Sequence, residues 1–94
     1  MYMTIDHRHS THDAIVRRLK RAGGHLSSVI EMIEAGRECT EIAQQLHAVE
    51  KAISTAKRTL IQDHIDHCLD QASQTHEAGG RHDLSDFKAI TKYL

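Results

Sequence analysis

No proline occurs in the 94 residues, and between Gly36 and Gly79 there is no glycine either. A chain without proline keeps every backbone donor, and a run of this length without a breaker is free to continue as one helix. Ala, Leu, Ile, Glu, Gln, Lys and Arg are abundant, and all but the β-branched Ile are strong helix formers. The expected fold is all-α, three helices in a long-long-short order. Ser10 with Asp13 reads as a capping box that opens the first helix after a polar arm over residues 1–10. Ile15, Leu19, Ala22, Leu26, Val29, Ile30 and Ile33 then recur by threes and fours until Gly36. Gly23-Gly24 inside that helix costs about 1 kcal/mol per glycine against Ala, and implies either a close neighbour or a kink.

The second helix is expected from Glu38 or Cys39. Its stripe is Ile42, Leu46, Val49, Ile53, Ala56 and Leu60, followed by His64 and Cys68, so hydrocarbon gives way to ligand-type side chains. Gly79-Gly80 reads as a break, with Asp83 or Ser85 capping a short helix whose apolar face is Leu84, Phe87, Ile90 and Leu94. With three aromatic residues, one Phe and two Tyr, the core must come from small aliphatic contacts along extended faces. A chain of this size buries such faces most readily by self-association, so residues 1–94 are expected to form one domain that is at least dimeric.

The net charge of −1 excludes a uniformly basic coat, yet the basic residues are clustered. Arg17, Arg18, Lys20 and Arg21 fall within five residues, and Lys51, Lys57 and Arg58 lie on the second helix. No apolar leader and no twenty-residue apolar run is present, which points to a cytoplasmic, soluble protein with no membrane partner. Two cysteines among nine histidines are then better read as metal ligands than as a disulfide.

His64 and Cys68, four residues apart, project from one face of a helix one turn apart and suit a single ion. Cys39 precedes His64 by twenty-five residues, which at about 100° each returns it to nearly the same face but about 37 Å away along the axis. One straight helix cannot close that gap. Two copies packed antiparallel can, giving two equivalent sites across a two-fold axis. His67 points away from Cys68 and is a supporting or alternative ligand. His12, His25, His47, His76 and His82 are expected to be surface or packing residues.

The Cys-x24-His-x3-Cys spacing, the first-helix segment RRLKRAGGHL and the second-helix run QQLHAVEKAI resemble the CsoR/RcnR family of metal-sensing repressors over essentially the whole chain. The resemblance implies three-helix subunits in an antiparallel four-helix dimer with the third helices appended, doubled into a dimer of dimers without a helix-turn-helix. It implies a repressor that binds operator DNA when apo and leaves on binding metal. Cys39, His64 and Cys68 alone resemble the Cu(I) sensors. A further nitrogen ligand from the N-terminal segment resembles the Ni(II) and Co(II) sensors, and His7, thirty-two residues before Cys39, falls at that position with His9 as substitute. Copper sensors also use a Tyr beside the first Cys and a Glu in the last helix, where this chain has Glu38 and no Glu after Glu77. The expected inducer is therefore Ni(II) or Co(II), with Cu(I) and Zn(II) as alternatives, since affinity alone does not separate them. The formaldehyde-sensing branch relies on a proline at residue two, where this chain has Tyr2.

Arg18 and Arg21 match the family's DNA-contact positions most closely; where many relatives carry Arg-Gly in the second helix, this chain has Glu50-Lys51. Lys and Arg contacts to phosphate supply salt-dependent affinity, and DNA shape contributes specificity in the absence of a recognition helix. A regulated efflux gene is the expected target, and linking the arm through His7 to the second helix is the expected route of release. The competing class is a metal-binding helical bundle without a DNA role. An enzyme is not expected, because no nucleophile and base pair up except as ligands.

Overall fold

A computed structural model describes the backbone of residues 7–74 and 78–94, and the side chains of residues 11–70 and 85–94. Three helices follow in order, α1 (His7–Glu34), α2 (Cys39–Gln74) and α3 (Ala78–Thr91), and no strand occurs among the described residues. The architecture is all-α and long-long-short.

α1 ends where a helix with a left-handed glycine must. Gly36 has φ +74°, its N–H donates to the Ile33 carbonyl, and the Arg37 N–H reaches back to the Met32 carbonyl. These two bonds form the Schellman pattern that satisfies the last carbonyls of a helix. Arg37 and Glu41 then form an ion pair across the start of α2, which opens at Cys39 as expected. At the far end, Thr91 Oγ1 donates to the Lys88 carbonyl at 2.8 Å.

Two helix starts differ from the sequence reading. α1 begins at His7 rather than at a Ser10 cap, so residues 7–10 are helical instead of part of an irregular arm. Nothing in His7–Ser10 stops a helix, since the segment holds neither proline nor glycine. α3 begins at Ala78 rather than after a cap at Asp83 or Ser85. Gly79 and Gly80 thus sit in its first turn, where a helix has not yet closed most of its hydrogen bonds and tolerates glycine.

The chain divides into two compact units, Asp13–Lys57 and Met1–His12 with Arg58–Leu94. In the first, α1 and the leading half of α2 form a helical hairpin whose buried apolar residues are Ile15, Ala22 and Val29 against Val49 and Ala56. Both sets advance in steps of seven, the interval of a narrow coiled-coil-like seam. In the second unit Ile61 and Cys68 are buried, again seven residues apart. Phe87 and Ile90 of α3 are half-buried and Leu94 is exposed.

The broad stripe read from the sequence splits in two. Val16, Leu19, Leu26, Ile30 and Ile33 on α1, and Leu46, Ile53 and Leu60 on α2, are all exposed. On α1 these residues, with Gly23, follow the alternating three-four spacing of a second seam. A Cβ added at Gly23 or Gly24 would meet nothing within 4 Å, so no close approach within this chain requires either glycine. Gly24 lies off the exposed seam, and Gly24→Ala should raise the unfolding free energy by about 1 kcal/mol, measured by denaturant titration.

Candidate metal centre and nucleic-acid interface

The i,i+4 spacing on α2 brings Cys68 Sγ to 3.5 Å from His64 Nε2. Cys68 is buried and His64 half-buried. With metal–sulfur and metal–nitrogen bonds of about 2.3 and 2.0–2.1 Å, two ligands in a tetrahedral arrangement stand about 3.6 Å apart. The pair therefore already holds the bite of a two-point chelate, and its donor set suits a soft or borderline metal.

Two donors are half a site. Among the described residues, no three His, Cys, Asp or Glu side chains gather into a group that could hold a metal ion. Cys39 is exposed at the first residue of α2. His7 and His9 lie in the opening turn of α1, with side chains outside the described residues. His67 is half-buried. His76 lies outside the described residues, as does the side chain of His82.

Several residues of no assigned role do form contacts. His25 Nε2 lies 2.6 Å from Gln45 Oε1 and ties the two helices of the hairpin, in keeping with a packing histidine. His47 stands 3.8 Å from Glu50 on the surface. The contact the sequence reading missed is His12 with Asp63, Nε2 to Oδ2 at 4.0 Å. Both residues belong to the second unit, where the Asp63 side chain is largely buried.

The basic residues singled out from the sequence are all exposed: Arg17, Arg18, Lys20 and Arg21 on α1, Lys51, Lys57 and Arg58 on α2. Arg18 and Arg21 line a cleft of about 390 Å³ with Ala22, His25, Ala52 and Thr55. Small residues on its α2 side leave the two guanidinium groups room to meet a phosphate. Lys51 and Lys57 share a second hollow, of about 480 Å³, with Glu50, which dilutes the positive charge there.

Residues 11–93 match the family described as metal-sensitive transcriptional repressor. The chain belongs to that family. Its members are transcriptional repressors and not enzymes. Among relatives, the copper-sensing transcriptional repressor CsoR of Bacillus subtilis is 32% identical, the match covering 97% of this chain and 93% of that protein. CsoR of Mycobacterium ulcerans is 36% identical over 63% of this chain, which spans half of that protein's length. The copper-sensing repressor RicR of Mycobacterium tuberculosis is 30% identical over 64% of this chain and 62% of its own length. No solved structure matches. Among the described residues, no helix is long and apolar enough to cross a membrane.

Proposed function

We propose that this repressor binds operator DNA as an antiparallel dimer, doubled into a tetramer, and is released when a metal joins Cys39 of one copy to His64 and Cys68 of the other. One observation carries the assembly. The exposed Leu46 and Leu60 stand seven residues either side of the exposed Ile53, and Cys39 and His67 stand fourteen either side of it. An antiparallel pairing of two α2 helices centred on Ile53 therefore covers the apolar residues with one another. The same register sets Cys39 opposite His67, between His64 and Cys68. Apolar burial and ligand geometry ask for one and the same alignment.

The bound metal supplies bonds that cross between the two copies. His64 and Cys68 hold the chelate bite already described, and Cys39, exposed at the helix start, is free to meet it from the facing chain. Arg18 and Arg21 bind phosphate in their cleft, supported by Arg17, Lys20, Lys51, Lys57 and Arg58. Metal acts on DNA affinity only by favouring one arrangement of the subunits over another.

Cu(I) is the reading best supported for the inducer. Two thiolates with one imidazole are soft donors that suit it, and the relatives described above are named for copper sensing. Ni(II) or Co(II), expected from His7 and its substitute His9, stands second. Zn(II) binds the same donors. In a mobility-shift titration, saturating Cu(I) should weaken operator binding by tenfold or more, and unchanged affinity with Cu(I), Ni(II), Co(II) and Zn(II) alike would sink the sensor reading. Arg18→Ala and Arg21→Ala should each weaken operator binding across sequences and shallow its salt dependence by about one counterion per lost phosphate contact; a helical bundle with no DNA role would show neither change.

A further inference from the structure

Asp63 carries a carboxylate whose side chain is only 10% exposed, and its Oδ2 is buried with no hydrogen-bond partner. A buried carboxylate oxygen left without a donor is costly and calls for a cation. Among the described residues its ion-pair partner is His12 Nε2 of α1, 4.0 Å away and beyond hydrogen-bond reach, on a side chain 45% exposed. Nitrogen and oxygen ligands of one tetrahedral ion, with bonds of about 2.0–2.2 Å each, stand about 3.4 Å apart. The 4.0 Å gap is thus wider than that bite by about 0.6 Å, a distance the exposed imidazole covers by turning inward.

A third donor stands at the right register. His67 follows Asp63 by four residues on α2 and so shares its side of the helix; it is half-buried. It is not gathered with the other two and has to rotate toward Asp63. Asp63 and His64 are neighbours in sequence, so they project about 100° apart and serve different flanks of α2.

We propose that His12 and Asp63, completed by His67, form a second metal site, separate from the cysteines and suited to a divalent ion. An oxygen with two imidazoles is a donor set for Zn(II), Co(II) or Ni(II) and a poor one for Cu(I). The chain then presents a soft site and a harder one on adjacent flanks of one helix.

Co(II) and Zn(II) titrations of the full chain test this. A Cys39→Ser/Cys68→Ser variant should still bind one Co(II) per chain, with d–d absorption and no thiolate charge-transfer band. Adding Asp63→Asn or His12→Ala should weaken that binding by about 10²–10⁴-fold, the loss expected for one of three ligands. In the wild-type background, Asp63→Asn should remove one equivalent of Co(II) and leave the thiolate band in place, a readout that does not depend on the serine variant folding. Loss of all Co(II) binding in a folded serine variant, or an unchanged stoichiometry in Asp63→Asn, would overturn the proposal. The thiolate band follows the cysteine site alone, so failure of one site is not mistaken for failure of the other.

Discussion

Cys39→Ser protein and His64→Ala/Cys68→Ser protein should each fail to release operator DNA on metal addition, and a mixture of the two, refolded together, should regain part of that response. Each variant alone lacks a ligand at both sites of a symmetric dimer. A mixed dimer carries one site with Cys39 from one copy and His64 with Cys68 from the other, complete, and a second site with nothing. Losing one of three ligands should cost about 3–5 kcal/mol, a proportionate share of the roughly 10–16 kcal/mol measured for small metal sites, and so about 10²–10⁴-fold in affinity. Metal-free operator binding should survive in both variants, because neither touches Arg18 or Arg21. A site held within one chain would give no recovery on mixing, and that result would remove the antiparallel dimer as the sensing unit.

The second large effect is expected at Ile53. In the proposed register Ile53 meets its own copy on the two-fold axis, and burial of an isoleucine contributes about 1.5–3 kcal/mol per side chain. Ile53→Glu replaces two such contributions with two like charges facing each other. The loss should reach about 3–5 kcal/mol, since an unpaired charge is being buried, and should shift the chain to monomer by sedimentation at micromolar concentration. Operator binding should fall with it, because the basic surface is then no longer multiplied. Gln44→Glu, at an exposed position nine residues away and so half a turn round the helix from Ile53, is the control. An Ile53→Glu protein that stays dimeric would place the interface on another face.

Much of this was legible from residue order. The missing proline, the long run without glycine and Gly36 define α1 and α2, and the four-residue step between His64 and Cys68 is enough to bring those two side chains within 3.5 Å of each other. The two helix starts were less legible. Ser10 has the chemistry of a cap but nothing before it forces a stop, and Gly79-Gly80 has the chemistry of a break but is tolerated in a first turn. The α1 stripe reads as one face because a run containing both Val29 and Ile30, about 100° apart, is wide enough for two interfaces. Only packing divides it into Ile15, Ala22 and Val29, which face inward, and Leu19, Leu26, Ile30 and Ile33, which do not and which Val16, outside the stripe as read, joins. The His12 and Asp63 contact was invisible for a different reason. It joins residues far apart in sequence within the second unit, and no local pattern encodes that pairing.

The uninterrupted α2 also sets a rule for how such a chain can change in length. In an antiparallel pair, residues inserted near Ile53 in every copy push Cys39 and its facing His64 outward from the axis by equal amounts, so the two still come level. Their angular agreement has no such protection. One inserted residue turns His64 by about 100° relative to Cys39, whereas seven turn it through two revolutions to within about 20°. Length variants that keep the site should therefore differ from this chain by about seven, eleven or eighteen residues, which return the face to within about 20°, and a single-residue insertion between Cys39 and His64 should be as damaging as deleting a ligand.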